Sequence, residues 1–321
     1  MKKLFLSMLM PLAVLTASAQ SNDYNMVIEL NNGTKITLGD NDVENLTFNG
    51  DALSISGSTI ADLYSQIARL EVLISQLREK VTPGKTFTVN GVSFRMVKVA
   101  GGTFQMGATS EQGSDASDSE KPVHNVTLYD YYIGETEVTQ ELWYAVMGKR
   151  PTSDGDQWSS SYGLGDNYPA YNVSWNDCQT FITKLSQLTG QQFRLPTEAE
   201  WEFAARGGKN SQGYKYAGSN TIGDVAWYNS NSDGTTHPVA TKAPNELGLY
   251  DMSGNVYEWC QDWYGSYSSS DQADPVGPSS GSGRVERGGG WGSLAKFCRV
   301  AGRVNSNPSG RGYFLGLRLA F

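Results

Sequence analysis

Histidine is almost missing from this chain: His124 and His237 are the two present in 321 residues. They lie far apart in sequence, so a metal site built on three imidazoles is excluded. Each reads as a lone structural histidine. A surplus of positive charge is missing too. Lys and Arg number 25 against 33 Asp and Glu, for a formal charge of −8. Without a basic stripe there is no electrostatic footing for nucleic acid or an anionic membrane surface. Cysteine is scarce, with Cys178, Cys260 and Cys298 leaving at least one thiol unpaired. Beyond the N-terminal segment no apolar run approaches the roughly 20 residues of a membrane span. With only 18% charged residues, long self-supporting helices are poorly supplied. Glycine is plentiful at 36 residues but has no period of three, which excludes collagen. The 39% apolar content is enough for a core, which excludes wholesale disorder.

The chain opens with Lys2-Lys3, an apolar run from Leu4 to Leu15, and Ala17-Ser18-Ala19. That order of charge, short apolar stretch and small-residue cleavage site is a secretory signal over residues 1–19. The expected location is therefore secreted or periplasmic, where disulfides are permitted. No cysteine lies near the cut, which argues against a lipid anchor there.

Residues 20–57 read as a β-hairpin segment, with Met26–Leu30 and Thr34–Leu38 flanking an Asn31-Asn32-Gly33 turn. Over residues 58–82, Ile60, Leu63, Ile67, Leu70, Ile74, Leu77 and Val81 alternate at spacings of three and four. This a/d stripe, with Ile at a and Leu at d, predicts a short coiled coil and hence a homo-oligomer, most simply a parallel dimer. The alternative is an amphipathic helix packed on its own domain. Pro83-Gly84 ends it.

From residue 83 to 321 the texture is rich in Trp, Tyr and Gly, with short apolar runs. Three helices are predicted. Thr139 caps one reaching Met147, with Leu142, Trp143 and Val146 inward. Ser174 caps the second, with Trp175, Cys178, Phe181, Ile182, Leu185 and Leu188 on one face and Gly190 beyond its end. Thr197 and Glu200 form a capping box for the third, which ends at Arg206. Glu198, Glu200 and Glu202 are then read as first-turn and surface charges favoured by the helix dipole. The rest reads as short strands and long loops, which need a cross-link or tight aromatic packing to be compact. Within the run Asp251 to Glu258, two carboxylates and exposed backbone carbonyls suit hard Ca²⁺. Tyr228, Trp227, Tyr264, Tyr267, Trp291 and Tyr313 are candidates for a stacking surface for sugar or peptide.

Several segments occur in a familiar order. They include Gly101-Gly102-Thr103-Phe104-Gln105-Met106-Gly107, Glu135-Thr136-Glu137-Val138-Thr139 and Val173-Ser174-Trp175-Asn176-Asp177. Arg194-Leu195-Pro196-Thr197-Glu198-Ala199-Glu200-Trp201-Glu202, Asp251-Met252-Ser253-Gly254-Asn255-Val256-Tyr257-Glu258-Trp259, Arg287-Gly288-Gly289 and Gly316-Leu317-Arg318 follow. Together they resemble the formylglycine-generating enzyme (sulfatase-modifying factor) family. The resemblance implies an α+β, loop-rich variant of the C-type lectin fold, preceded here by the hairpin and the coiled-coil helix. It also implies a structural calcium held by the Asp251 and Glu258 side chains and the Gly254 and Val256 carbonyls. A second calcium loop of the family would fall near residues 229–233, where the segment is shorter.

The family oxidises a target cysteine using oxygen and a copper ion held by two thiolates in Gly-Gly-Ser-x-x-Cys-x4-Cys. Laid on this chain, that pattern puts Gly290 on the serine, Ser293 on the first cysteine and Cys298 on the second. A neutral hydroxyl is a poor partner for soft Cu(I), so copper is not expected. The implied catalytic positions, Ser293 and Cys298, read as degenerate, and a Cys260–Cys298 disulfide is an alternative use of the second. Two readings follow. One is an exported, non-catalytic module for binding a peptide or glycan, or for adhesion. The other is an oxygen-dependent oxidoreductase acting on a protein cysteine or small thiol.

Overall fold

The computed structural model describes residues 15–17, 26–29, 35–38, 45–49, 52–56, 83–151 and 158–321. They fall into two compact units, Met1–Val81 and Thr82–Phe321. The heptad segment 58–82 and the expected leader, apart from residues 15–17, lie outside the described residues. In the first unit β1 (Leu15–Ala17), β2 (Met26–Glu29) and β3 (Lys35–Leu38) form an antiparallel sheet in that order. There β4 (Asn45–Asn49) pairs antiparallel with β5 (Ala52–Ser56).

The second unit is built on three small sheets. β6 (Gly84–Val89) and β7 (Val92–Val99) turn through Asn90-Gly91, both at positive φ, and β7 continues to β10 (Tyr131–Gly134). β8 (Thr103–Met106), β9 (His124–Thr127) and the short β12 (Gln272–Ala273) form another. The third runs β14 (Arg303–Ser306), β13 (Arg284–Arg287), β11 (Tyr257–Trp263), β15 (Leu315–Gly316). The β11–β15 pairing is parallel, which carries the C-terminal segment back through the core beside β11. Among the described residues no helix is long and apolar enough to cross a membrane.

The helices begin where hydroxyl caps permit and stop where glycine permits. α1 (Gln140–Met147) starts from the Thr139 hydroxyl and ends on Gly148 at φ 70°. α2 (Trp175–Thr189) carries a full Ser174–Asp177 capping box and ends on Gly190 at φ 73°. Trp143 of α1 stacks flat on Phe181 of α2, with ring centroids 5.0 Å apart, at the centre of the larger core. Leu188 departs from its expected inward place and is 53% exposed, because α2 outruns the core it covers.

α3 (Glu198–Ala205) has the Thr197–Glu200 box, yet all eight of its residues are buried. This corrects the reading of its acids as surface charges. Each is held by arginine. Arg303 grips Glu198 with two bonds of 2.6 and 2.7 Å, and Arg194 grips Glu200 with two of 2.6 Å. Glu202 takes Arg287 on one oxygen, and Arg206 and the Gly107 amide on the other. Arg287 also donates to the Val300 and Gly302 carbonyls, and Arg303 to those of Ser119 and Gly265. One helix thus ties down four separate loops.

The Arg287 and Glu202 side chains are both fully inaccessible, and removing one partner of such a pair typically costs about 3–5 kcal/mol. We expect Arg287→Met to lower the unfolding free energy by that amount in urea titration. Neutralising Lys98, in the exposed pair with Asp130, should leave the midpoint nearly unchanged.

Candidate functional site

Beyond β13 the chain turns on two glycines, Gly288 at φ 93° and Gly289 at φ 76°. A Cβ at Gly289 would stand 2.6 Å from the Cys298 sulfur, so only glycine lets the loop close over that residue. The loop then folds on itself. Ser293 Oγ accepts the Gly290 N–H at 3.0 Å and the Ser293 N–H returns to the Gly290 carbonyl at 2.8 Å. A 3₁₀ turn, Ala295–Phe297, delivers Cys298.

Cys298 is fully buried and packs with Tyr216 and Val225. Its sulfur points at the Leu294 carbonyl, 3.9 Å away, and burial pushes the thiol up to about 12. All three cysteines are free thiols, so the Cys260–Cys298 bridge is not formed. Cys260 belongs to a different core cluster from Cys298. The two positions aligned with copper ligands therefore present a hydroxyl engaged in a turn and a protonated, enclosed thiol. They do not suit Cu(I), which wants two thiolates.

The outer side of the same loop is different. Leu294 is 55% exposed and Phe297 40%, and Phe314, on the adjoining β14–β15 connection, is 45% exposed. Phe314 lies against Gly290 and Tyr257. Neighbouring segments brace the loop from behind. Trp291 donates through its indole to the Tyr313 carbonyl, and Tyr162 stacks on Tyr313 at 4.1 Å. The Ser232 hydroxyl bonds the Trp291 carbonyl and the Asn229 amide bonds that of Ser293. Residues 229–233, where the resemblance suggested a second calcium loop, thus act as a strut.

The six aromatics do not form one surface. Trp227 stacks on His237 at 3.7 Å with Lys242 over its other side. Tyr264 and Tyr267 pack on Arg303. Trp291 and Tyr313 join Tyr162. Tyr228 packs against the cluster of Tyr216, Val225 and Cys298, so the six fall into four separate groups whose neighbours sequence spacing does not reveal.

The loop of residues 251–258 is buried. Glu258 lies between Arg318, which holds both its oxygens at 2.7–3.0 Å, and the Trp201 indole at 2.6 Å. Asp251 Oδ2 accepts the Ala240 N–H at 2.8 Å, while its Oδ1 is buried without a partner. Among the described residues no hydrogen bond reaches the Gly254 or Val256 carbonyl. Glu137, which sequence reasoning passed over, takes the Asn255 amide and the Val256 N–H, and burial raises its carboxyl well above the usual range. Burial likewise pushes Asp251 to about 6. The site has three carboxylates and one guanidinium. Among the described residues no three His, Cys, Asp or Glu side chains come together as metal ligands. Asp251 with the two free carbonyls does offer oxygen donors to a hard cation. Glu258 could join only by sharing a carboxylate that Arg318 already holds.

Residues 85–321 match the model of the sulfatase-modifying factor enzyme 1-like domain. The chain belongs to that family. It is 33% identical to the chaperone protein LppX of Paenibacillus barcinonensis over 71% of this chain and 89% of that protein. It is also 33% identical to the formylglycine-generating enzyme of Streptomyces coelicolor, over 70% and 88%. Among solved structures, variable protein 1 of Treponema denticola superposes with a TM-score of 0.65 at 38% identity, covering 74% of this chain and 98% of that one. The shared architecture is the mixed α+β, C-type-lectin-like fold of this family.

The enclosure of the thiols has a direct readout. In the folded protein at pH 8 a maleimide or disulfide reagent should modify Cys298 no faster than Cys178 or Cys260. In denaturant all three should react. Rapid, selective labelling of Cys298 in the native state would contradict the buried geometry.

Proposed function

We propose that this protein is an exported, non-catalytic binding module that presents the Trp291–Phe314 loops to a peptide or glycan ligand. One observation carries the reading. The loop aligned with metal chemistry is closed at Cys298, whose thiol is pushed up to about 12 by burial, while Leu294 and Phe297 of that loop and Phe314 of the adjoining β14–β15 connection are exposed to solvent. Exposed apolar side chains on a rigidly braced loop are a recognition feature more than a folding one. Self-association through residues 58–82 would add avidity by joining such faces. Similarity to the formylglycine-generating enzyme of Streptomyces coelicolor supports the oxidoreductase alternative, and the test includes it.

The full-length protein should bind hits on a glycan or peptide array. The double substitution Leu294→Glu, Phe297→Glu should weaken the strongest hit at least tenfold without lowering the melting temperature. A Cys-x-Pro-x-Arg peptide incubated with protein, copper and oxygen should keep its thiol. Conversion of that thiol to an aldehyde, seen by mass spectrometry, would overturn the proposal.

We also propose that Asp251, with the Gly254 and Val256 carbonyls and a shared Glu258, holds a structural Ca²⁺. The ion would supply positive charge to a cluster in which acids outnumber bases three to one. Its support is the unpartnered Asp251 Oδ1. A ligand at a hundredfold its Kd adds about 2.7 kcal/mol, so EDTA should lower the melting temperature by about 5–10 °C, reversed by Ca²⁺ and not by Mg²⁺. An unchanged melting temperature would remove the calcium.

A further inference from the structure

A cleft of about 330 Å³ opens on another part of the molecule, where the β11–β12 connection passes over the start of α3. None of Trp291, Leu294, Phe297, Tyr313 or Phe314 lines it. Its apolar wall is formed by Met106, Trp263, Tyr267, Pro275, Val276 and Pro278. Ser266, Ser268 and Gln272 add polar groups nearer the surface, and of the buried polar side chains Arg303 and Glu198 are largely satisfied. Arg303 places four of its five N–H donors on Glu198 and on the Ser119 and Gly265 carbonyls. Glu198 receives that guanidinium together with the Tyr267 hydroxyl.

Asp262 is the exception. It lines the cleft while only 4% exposed. Its Oδ2 accepts the Glu198 N–H at 2.9 Å, and no hydrogen bond reaches Oδ1. The backbone has been cleared in front of that atom: a Cβ at Gly277, which sits at φ 72°, would fall 3.0 Å from Oδ1. Among the described residues, a buried carboxylate oxygen thus stands open in this cleft, beside the aromatic and aliphatic side chains of its wall.

We infer that this cleft binds an alkylammonium group, its charge meeting Asp262 Oδ1 and its carbon chain lying along Trp263, Tyr267 and Pro278. An anion would have to sit against the Glu198 and Asp262 carboxyl groups, which both line the cleft. A neutral apolar guest would leave the buried carboxyl unanswered.

The groups facing Asp262 set the pH dependence. Burial foremost, then the Glu198 charge, pushes its carboxyl up to about 8, with Glu200 adding to the rise and Arg303 and the Glu198 N–H opposing it. Arg284 and Arg194 also feel its charge, as does Cys260 on its own strand. His124 lines the same cleft. Below pH 8 the empty cleft holds a protonated Asp262, and a bound ammonium must expel that proton. Affinity should therefore rise about tenfold per pH unit up to pH 8 and then level off. A neutral hydroxyl ligand would show no such slope.

Calorimetric titration of the full-length protein tests this, with N-acetyl-lysine methylamide, its neutral norleucine counterpart and spermidine as probes. Saturable binding of an amine at pH 8.5, about a hundredfold weaker at pH 6 and at least tenfold tighter than the norleucine compound, is the expected result. Asp262→Asn keeps an acceptor for the Glu198 amide and should abolish both the binding and its pH slope. Val276→Arg, at a position 66% exposed on the rim, should block the cleft with the fold intact. Preference for the lysine compound would assign the site to a protein side chain, and preference for spermidine to a free polyamine. Absence of binding by either amine at pH 8.5, or equal binding by the wild type and Asp262→Asn, would overturn the inference.

Discussion

The loops of this protein are held by arginine. Glu198, Glu200 and Glu202 project from one short helix; Arg303 and Arg287 reach them from distant strands, and Arg194 and Arg206 from the segments flanking the helix. Arg299 repeats the device on Glu120, and Arg318 on Glu258. A guanidinium has five donors, so after gripping a carboxylate it still reaches backbone carbonyls. Arg318 uses this to hold Gly134 and Tyr250, and Arg287 to hold Val300 and Gly302. Each pair therefore satisfies buried backbone that a loop-rich fold would otherwise leave unpaired. No disulfide forms among the three cysteines, so this polar lattice does the cross-linking that the long connections require.

The regular elements were legible because their signals are local. Thr139, Ser174 and Thr197 cap the helices they precede, and Gly148 and Gly190 adopt the left-handed conformation that ends two of them. The arginine lattice was not legible. Arg287 lies 85 residues from Glu202, and Arg303 lies 105 from Glu198. Three acids at alternate positions of a helix ordinarily mean solvent. Here the helix is enclosed on every side, and only the partners make that affordable. The aromatics failed for a related reason. Composition says that many rings are present, but the register of β11, β13 and β14 decides which ring meets which cation. Glu137 gave no signal of its own, because its partners, Asn255 and Val256, come from a loop 118–119 residues away.

The loop after β13 shows how one sequence segment can be closed inside and open outside. Gly289 lets it press on Cys298, the Ser293–Gly290 bonds fix its first turn, and Arg299 anchors its end to Glu120 and Gln112. Once those inner contacts are made, the outward residues carry little of the structure. A Cβ at Gly292 would meet nothing within 4 Å. Leu294, just before the 3₁₀ turn, and Phe297, at its end, are exposed to solvent.

That separation bears on what the fold can be used for. Chemistry at the inner face would need a second thiolate and solvent access, and both would loosen the packing of Cys298 against Tyr216 and Val225. Recognition at the outer face needs neither. Its side chains can change with little effect on the guanidinium–carboxylate contacts beneath, because they make none of them. A scaffold stabilised from within by charge, and decorated from without by residues the core does not need, can alter what it binds without altering how it folds.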